Sequence, residues 1–140
     1  MKRISLLFVA LWAISCSSSK GYVKPKMRNN STYILTEIST DPTYGYHVNN
    51  PIKVGGVKKN EGPLNERRFL NALTGPNGEE VSYYRKGSCC AFKTRNGYLG
   101  TGLLDLYKVT WEGTTDTFSI YINMYDFGPL KAPKGFGLKK

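Results

Sequence analysis

The chain has 140 residues, with 20 Lys and Arg against 10 Asp and Glu, and a formal net charge of +10. This length fits a single domain of common size with a flexible segment beside it, and the sequence shows neither internal repeats nor a second hydrophobic span. The basic residues are scattered rather than gathered into one block, which favours a generally basic surface over a dedicated polyanion-binding tract.

The first fifteen residues have the pattern of a secretory signal peptide. Lys2 and Arg3 form a charged head, and residues 4–14 form an apolar run that only Ser5 interrupts. A bilayer span needs about 20 apolar residues, so this run is too short to cross a membrane. A charged head, a short apolar run and a small residue before the cleavage point are typical of exported proteins. We therefore predict a signal peptide at residues 1–15.

A cysteine follows the signal pattern directly. The run Ala13-Ile14-Ser15-Cys16 resembles the lipobox of bacterial lipoproteins. The resemblance implies that Cys16 is acylated and becomes the new amino terminus, and several acyl chains together anchor a protein stably. By analogy with the sorting of enterobacterial lipoproteins, Ser17 implies the outer membrane, with the domain facing the periplasm. The alternative is an ordinary signal peptide followed by a coincidental cysteine.

Residues 16–31 are predicted to be a lipidated, flexible tether. They are rich in Ser, Gly and Asn and carry basic residues, and such a segment cannot bury a core. A place in the cell envelope makes nucleic acid an implausible partner. It leaves the membrane itself, anionic envelope lipid or an envelope polysaccharide as partners for a basic protein. The sequence names no protein partner.

Residues 32–140 are predicted to form one globular domain that begins with strands. Residues 32–38 are β-branched and aromatic and predict a first strand, and residues 52–54 predict a second, short one. One helix is predicted over residues 65–73, with Asn65 as its cap and Glu66 in its first turn. Its apolar face is formed by Phe69, Leu70 and Leu73.

The remainder of the domain is predicted to be mainly strand. Residues 81–85 predict a strand, and residues 96–102 predict a Gly-rich loop. Residues 104–111 and 117–125 alternate between apolar and polar positions on either side of a Gly-containing turn, which predicts a β-hairpin. The fold class expected is α+β, with a small antiparallel sheet, a C-terminal β-hairpin and one short helix.

Cys89 and Cys90 are adjacent, and three interpretations of them stay open. Side chains of neighbouring strand residues point to opposite faces, so the two could be structural thiols. The envelope is oxidising, which favours a vicinal disulfide, although neighbouring Cα atoms lie ~3.8 Å apart and ordinary disulfides need ~4.4–6.8 Å. A redox or metal site is the third interpretation, but metal sites usually space two cysteines as Cys-x-x-Cys.

The other candidate residues give weaker signals. A phosphate-binding loop needs a helix after it, whereas a strand is predicted after Gly100 and Gly102, so this segment predicts a β-turn. His47 could act as a base, but no catalytic motif adjoins it. The acids around the predicted hairpin form no recognisable catalytic pair; they are Asp105, Glu112, Asp116 and Asp126. The sequence therefore names no catalytic residue, no metal site and no cofactor.

A series of short motifs between residues 44 and 136 resembles a family of small Gram-negative envelope lipoproteins. The motifs include Arg68-Phe-Leu-Asn-Ala-Leu73, Gly87-Ser-Cys-Cys90, Leu104-Asp105, Thr110-Trp-Glu-Gly113 and Pro133-Lys-Gly-Phe136. The resemblance implies a shared fold and an envelope location. Members are often labelled 2-dehydro-3-deoxyphosphooctonate aldolase, but that enzyme is a (β/α)8 barrel of about 250 residues, longer than this chain.

Three functions follow from these observations, in order of preference. The first is a membrane-anchored envelope lipoprotein with a structural or binding role. The second is an envelope thiol-redox protein or enzyme that uses Cys89 and Cys90. The third is the aldolase activity, which rests on the family label alone.

Overall fold

The computed structural model describes residues 22–140. The predicted signal peptide, the lipidation site Cys16 and the first part of the predicted tether lie outside these residues. The elements in chain order are β1 (Met27–Asn29), β2 (Thr32–Tyr33), β3 (Ile52–Lys53), a 3-10 helix (Val57–Lys59), α1 (Gly62–Leu70), β4 (Leu73–Thr74), β5 (Val81–Tyr98), β6 (Thr101–Trp111), β7 (Phe118–Asn123) and β8 (Gly137–Leu138). The fold mixes helix and strand, and sheet predominates.

Four strands form the main sheet in the order β3-β7-β6-β5. β5 pairs with β6 and β6 with β7 in antiparallel fashion, but β3 pairs with β7 in parallel, with Ile52 opposite Ile122. The expected antiparallel sheet is therefore a mixed one. The long segment between β3 and β7 contains α1 and the β5–β6 pair, and such a crossover brings the chain back in the same direction.

The hairpin of β6 and β7 is confirmed, with the predicted turn between them. Its alternating apolar side chains lie in the core together with the apolar face of α1. Completely buried members include Phe69, Leu70, Val109, Ile120 and Ile122. Burying a side chain of this size stabilises the fold by roughly 1.5–3 kcal/mol, so this layer of helix on sheet supplies much of the stability.

The helix is shifted by three residues from its predicted position. It begins at Gly62 because Pro63 suits the first turn of a helix. Asn65, predicted to be the cap, lies inside α1 and is buried. Its Oδ1 accepts a hydrogen bond from the Tyr33 hydroxyl at 2.7 Å, and its Nδ2 donates to the Gly55 carbonyl at 3.1 Å. Asn65 therefore joins α1 to β2 and to the loop at Gly55.

The predicted strand at residues 81–85 is the start of a much longer one. β5 runs on to Tyr98 and forms a second hairpin with β6, through the two-residue turn Leu99-Gly100. The Gly100 to Gly102 segment is thus a β-turn and a strand start, not a phosphate loop. Leu99 has φ 51° and Gly100 has φ 75°, a geometry for which Asn-Gly is the preferred pair. A leucine in this left-handed conformation costs roughly 1–2 kcal/mol.

The N-terminal part of the described chain also differs from expectation. Only Thr32–Tyr33 of the first predicted strand is strand, and Met27–Asn29, placed in the tether, pairs with it. Arg28 donates a hydrogen bond to the Lys139 carbonyl at 3.0 Å, so this hairpin contacts the C-terminal segment. Across residues 22–140, every helix is too short or too polar to cross a bilayer.

Candidate functional site

Two bulges in β5 organise the side chains around the adjacent cysteines. The pairing of β5 with β6 skips Lys86 and Cys90, which have no partner opposite them. Residues three apart in a regular strand face opposite sides of the sheet. Because Lys86 is an extra residue, Arg85 and Ser88 instead face the same side, where both contact Asp105 of β6.

Asp105 is buried, with 3% of its surface exposed. Arg85 Nε donates to its Oδ2 at 2.8 Å, and Arg85 Nη2 donates to its Oδ1 at 2.9 Å. The Ser88 hydroxyl donates to Oδ1 as well, at 2.9 Å. The hydrogen bond to Asp105 raises the pKa of Arg85 above its usual value. This bidentate geometry is the strong form of an ion pair, and it neutralises the buried charge of Asp105.

Glu66 of α1 lies beneath this ion pair and has no exposed surface. The Tyr107 hydroxyl donates to its Oε2 at 2.8 Å. Burial, and secondly the negative charge of Asp105, raise the pKa of Glu66 to about 8. Glu66 is therefore protonated and neutral at pH 7, unlike an ordinary glutamate.

The proton on Glu66 has an acceptor. Oε1 of Glu66 is the one buried side-chain oxygen or nitrogen within the described chain that accepts no hydrogen bond. A protonated oxygen donates instead, and hydrogen bonding between the two carboxyl groups contributes to the raised pKa of Glu66. We infer that Glu66 donates to Asp105. We call Glu66, Arg85, Ser88, Asp105 and Tyr107 the carboxyl cluster.

A cleft of about 500 Å³ opens beside the carboxyl cluster. Its walls are Pro63 and Arg67 of α1, Tyr83, Tyr84 and Arg85 of β5, Asp105 and Tyr107 of β6, and Met124. Tyr84 is 64% exposed. Its ring lies on the opposite face of the sheet from Arg85, because neighbouring strand residues alternate. The guanidinium of Arg67 makes no hydrogen bond or ion pair among residues 22–140. The cleft thus offers the half-buried ring of Tyr83 and a free guanidinium fork to solvent.

A larger cavity of about 890 Å³ lies by β4, β8 and the C-terminal residues. The charged residues that line it, Glu80, Lys139 and Lys140, are all exposed. Buried ionisable groups with shifted pKa values are the usual sign of a functional site. The smaller cleft has such a group beneath it, so we regard it as the candidate site.

Cys89 and Cys90 are joined as a vicinal disulfide, with their Cα atoms 3.7 Å apart. The expectation that they point to opposite faces of a regular strand does not hold, because Cys90 is the second bulge residue. Its φ of 57° lies in the left-handed region, which is uncommon for residues other than glycine. Cys90 is exposed and Cys89 is half-buried. Ser88, the residue before them, connects this bulge to the carboxyl cluster.

The other residues singled out from the sequence lie apart from the cleft. His47 is exposed, and its Nδ1 accepts the backbone N–H of Asn49 at 3.1 Å. Glu112 and Asp116 are exposed in the β6–β7 turn. Asp126 accepts hydrogen bonds from Thr94, Asn96 and Asn123, which tie the β5–β6 hairpin to the end of β7. Within residues 22–140 no group of three His, Cys, Asp or Glu side chains could hold a metal ion.

Sequence reasoning missed Glu66, Arg85 and Tyr107 as partners. A signal for Glu66 was present, because it precedes Phe69 and Leu70 by three and four residues and so shares their face of the helix. A charged residue on an apolar face is buried, and a buried charge must be paired or neutralised. No comparable local signal marks Arg85, since its role depends on the bulge.

The two carboxyl groups are not arranged as a reacting pair that a substrate can reach. A catalytic acid must reach its substrate, and Glu66 has no surface in the cleft. Glu66 accepts the hydrogen bond of Tyr107, which lines the cleft wall. No protein-family model, curated protein or solved structure matches the chain.

Proposed function

We propose that the protein is a lipid-anchored α+β binding module of the cell envelope, of the small-lipoprotein family that its motifs resemble. We further propose that it binds an anionic saccharide in the cleft beside the carboxyl cluster. The observation that carries this proposal is the joint presence of Arg67, Arg85 and half-buried Tyr83 around one cleft.

Charge supports an anionic ligand. Arg67 and Arg85 contribute two positive charges, and Asp105 contributes one negative charge. Glu66 adds none below about pH 8, because its carboxyl is protonated. The cleft is therefore net positive at neutral pH, although a pair of acids lies at its base. A guanidinium fork pairs in bidentate fashion with a carboxylate or a phosphate.

Aromatic side chains support a saccharide over a bare anion. Tyr83, Tyr84 and Tyr107 line the cleft. The Tyr83 hydroxyl donates to Asn71 Oδ1 at 2.7 Å, which fixes its half-buried ring at the cleft, whereas the ring of Tyr84 lies on the other face of the sheet. An apolar ring face beside a few placed polar groups is the usual composition of a small-ligand site.

Replacing Arg67 by Ala is expected to weaken binding of an acidic oligosaccharide. Loss of a charge-assisted hydrogen bond corresponds to roughly ten-fold or more in affinity. The measurement is titration calorimetry with an oligomer of galacturonic acid, with the neutral galactose oligomer of equal length as the comparison ligand. Tyr84→Ala should leave both binding and stability unchanged, because its exposed ring lies on the other face of the sheet from Arg85.

Lys134→Ala is the matched control. It removes the same single positive charge from an exposed position that does not line the cleft. An equal effect of Arg67→Ala and Lys134→Ala would show that only the overall basic charge matters, and the proposed site would be wrong. Equal affinity for the acidic and the neutral oligomer would contradict the proposed ligand class.

The vicinal disulfide supports a second function, that of a thiol-redox protein. Strained, exposed disulfides are the ones that exchange with thiols, and Cys90 is exposed in a left-handed bulge. A dithiol reductant would give two electrons and two protons to the Cys89–Cys90 pair and become a disulfide itself.

A redox role predicts full and reversible reduction of the folded protein. The folded protein is equilibrated with reduced dithiothreitol and then alkylated, and mass spectrometry should find two added alkyl groups. A sample reoxidised with oxidised dithiothreitol before alkylation should carry none. The Cys89→Ser, Cys90→Ser double variant gives the background from Cys16. A pair that stays unreactive until the protein is unfolded would rule out this function and leave a structural disulfide.

A further inference from the structure

The turn of the β5–β6 hairpin presents two large apolar side chains to solvent. Tyr98 is 86% exposed and Leu99 is 85% exposed, the highest values among the exposed large apolar residues of the described chain. Leu99 also occupies a left-handed position where asparagine or glycine is favoured. A residue that is both disfavoured by the backbone and unburied contributes nothing to folding. An unfavourable conformation of this kind points to a role outside the fold.

The tip is basic as well as apolar. Lys93 and Arg95 are exposed on the same hairpin, and neither forms an ion pair among residues 22–140. The one acid close to the tip is Asp126, whose carboxylate accepts from Thr94 and Asn96 instead. Apolar side chains flanked by free cations match the interface of an anionic bilayer, where acyl chains meet phosphate groups.

The tip projects beyond the sheet and is held rigidly. β7 pairs with β6 only between Asp105 and Val109, so the part of the hairpin beyond Asp105 has no third strand. Phe92 packs edge-on against Tyr125 with ring centroids 5.8 Å apart. The hydroxyl of Thr94, on the same hairpin, donates a hydrogen bond to Asp126. A supported projection can insert its end into an interface without paying the entropy of ordering a loop.

The start of the described chain lies at the same end of the molecule. The ring of Tyr22 packs against Phe127 with centroids 4.7 Å apart, and Phe127 follows Asp126, which contacts the hairpin. Phe127 is itself 48% exposed. Cys16 precedes Tyr22 by six residues, a chain reach of ~20 Å. A lipid at Cys16 would therefore bring this end of the domain close to the bilayer.

We propose that the β5–β6 tip docks on an anionic membrane surface, with Leu99 and Tyr98 at the acyl boundary and Lys93 and Arg95 against lipid phosphates. The orientation of the domain rests on the proposed lipid anchor, but insertion of the tip has its own test. In this orientation the β6–β7 turn, at the other end of the 11-residue β6, points about 35 Å away from the membrane.

The test places a tryptophan at the tip of the full-length, lipidated protein in vesicles of phosphatidylethanolamine and phosphatidylglycerol. Trp111→Phe makes the introduced residue the only tryptophan of residues 22–140. With Leu99→Trp in this background, lipids brominated on their acyl chains are expected to lower the emission roughly two-fold, since interfacial residues lie about 5–10 Å deep. Glu112→Trp, at the opposite turn, is the matched control and should not be quenched.

Equal emission from Trp at position 99 with and without brominated lipid overturns the proposal, whether or not the protein floats with the vesicles. Equal quenching at positions 99 and 112 also overturns it, because the tip would then have no preferred contact. Quenching that persists in pure phosphatidylcholine removes the role of Lys93 and Arg95. The anchor is judged separately, by flotation of Cys16→Ser. With Tyr98→Trp as the reporter in the same Trp111→Phe background, adding Leu99→Asn, which suits the turn, should keep the fold and reduce quenching by the brominated lipid.

Discussion

Glu66→Gln is expected to stabilise the protein more strongly as the pH rises. The pKa of Glu66 is about 8 in the folded protein against an ordinary value of 4.5. Between these values the unfolded chain releases the proton and the folded chain keeps it, so wild-type stability falls by about 1.4 kcal/mol per pH unit. Glutamine stays neutral in both states. The gain from the substitution should therefore reach roughly 4 kcal/mol at pH 8 and level off above it.

The measurement is the free energy of unfolding in urea at intervals from pH 5 to pH 9. Glutamine keeps an oxygen to accept from Tyr107 and gains an N–H that can donate to Asp105, so the packing is preserved. Glu80→Gln is the control, because Glu80 is exposed and should change nothing. Curves for wild type and Glu66→Gln that run parallel would show that Glu66 is ionised in the folded protein, contrary to our assignment.

Asp105→Ala is expected to destabilise the protein by about 2–3 kcal/mol at pH 6. Breaking a buried ion pair usually costs about 3–5 kcal/mol, and the half-exposed guanidinium of Arg85 can regain water, which lowers the cost. Ser88 and the protonated Glu66 lose their acceptor as well. Urea unfolding measures the loss, and Asp116→Ala in the exposed β6–β7 turn should change stability by less than about 0.5 kcal/mol.

The pH dependence of stability distinguishes loss of the Asp105 carboxylate from a simple loss of packing. Asp105 raises the pKa of Glu66 through its charge and its hydrogen bonding, so that pKa falls in Asp105→Ala. Wild-type stability then decreases more steeply with pH than that of the variant, and the difference between them shrinks from pH 5 to pH 8. A constant difference over this range would mean that the two carboxyl groups are not coupled.

The spacing of apolar residues predicted the elements whose structure depends on neighbouring residues, namely the β6–β7 hairpin and α1. The β6–β7 hairpin follows from strict alternation, and α1 follows from its apolar pair Phe69 and Leu70. Leu73, predicted on the same helix, instead lies in β4. β5 was predicted only as far as Arg85, because each bulge shifts the alternation by one residue. The parallel pairing of β3 with β7 joins residues about 70 positions apart, and no local signal specifies it.

The candidate site could be predicted less well than the fold. The adjacent cysteines drew attention to the correct segment, and a vicinal disulfide was among the interpretations. Yet the partners of that segment come from α1 and β6, and they converge only through tertiary packing. Glu66 was predicted as a charge at the start of a helix, whereas it is buried and its pKa is raised to about 8, so it is neutral at pH 7.

The bulges of β5 have a further consequence for contacts between copies of the protein. β5 is an 18-residue strand at the edge of the main sheet, and a long regular edge invites pairing with the same edge of another copy. Lys86 and Cys90 interrupt its row of backbone donors and acceptors, and the vicinal disulfide prevents the second bulge from straightening. Lys86, Lys93 and Arg95 add repulsion between copies. The same irregularity that assembles the carboxyl cluster therefore also protects the molecule from edge-to-edge aggregation.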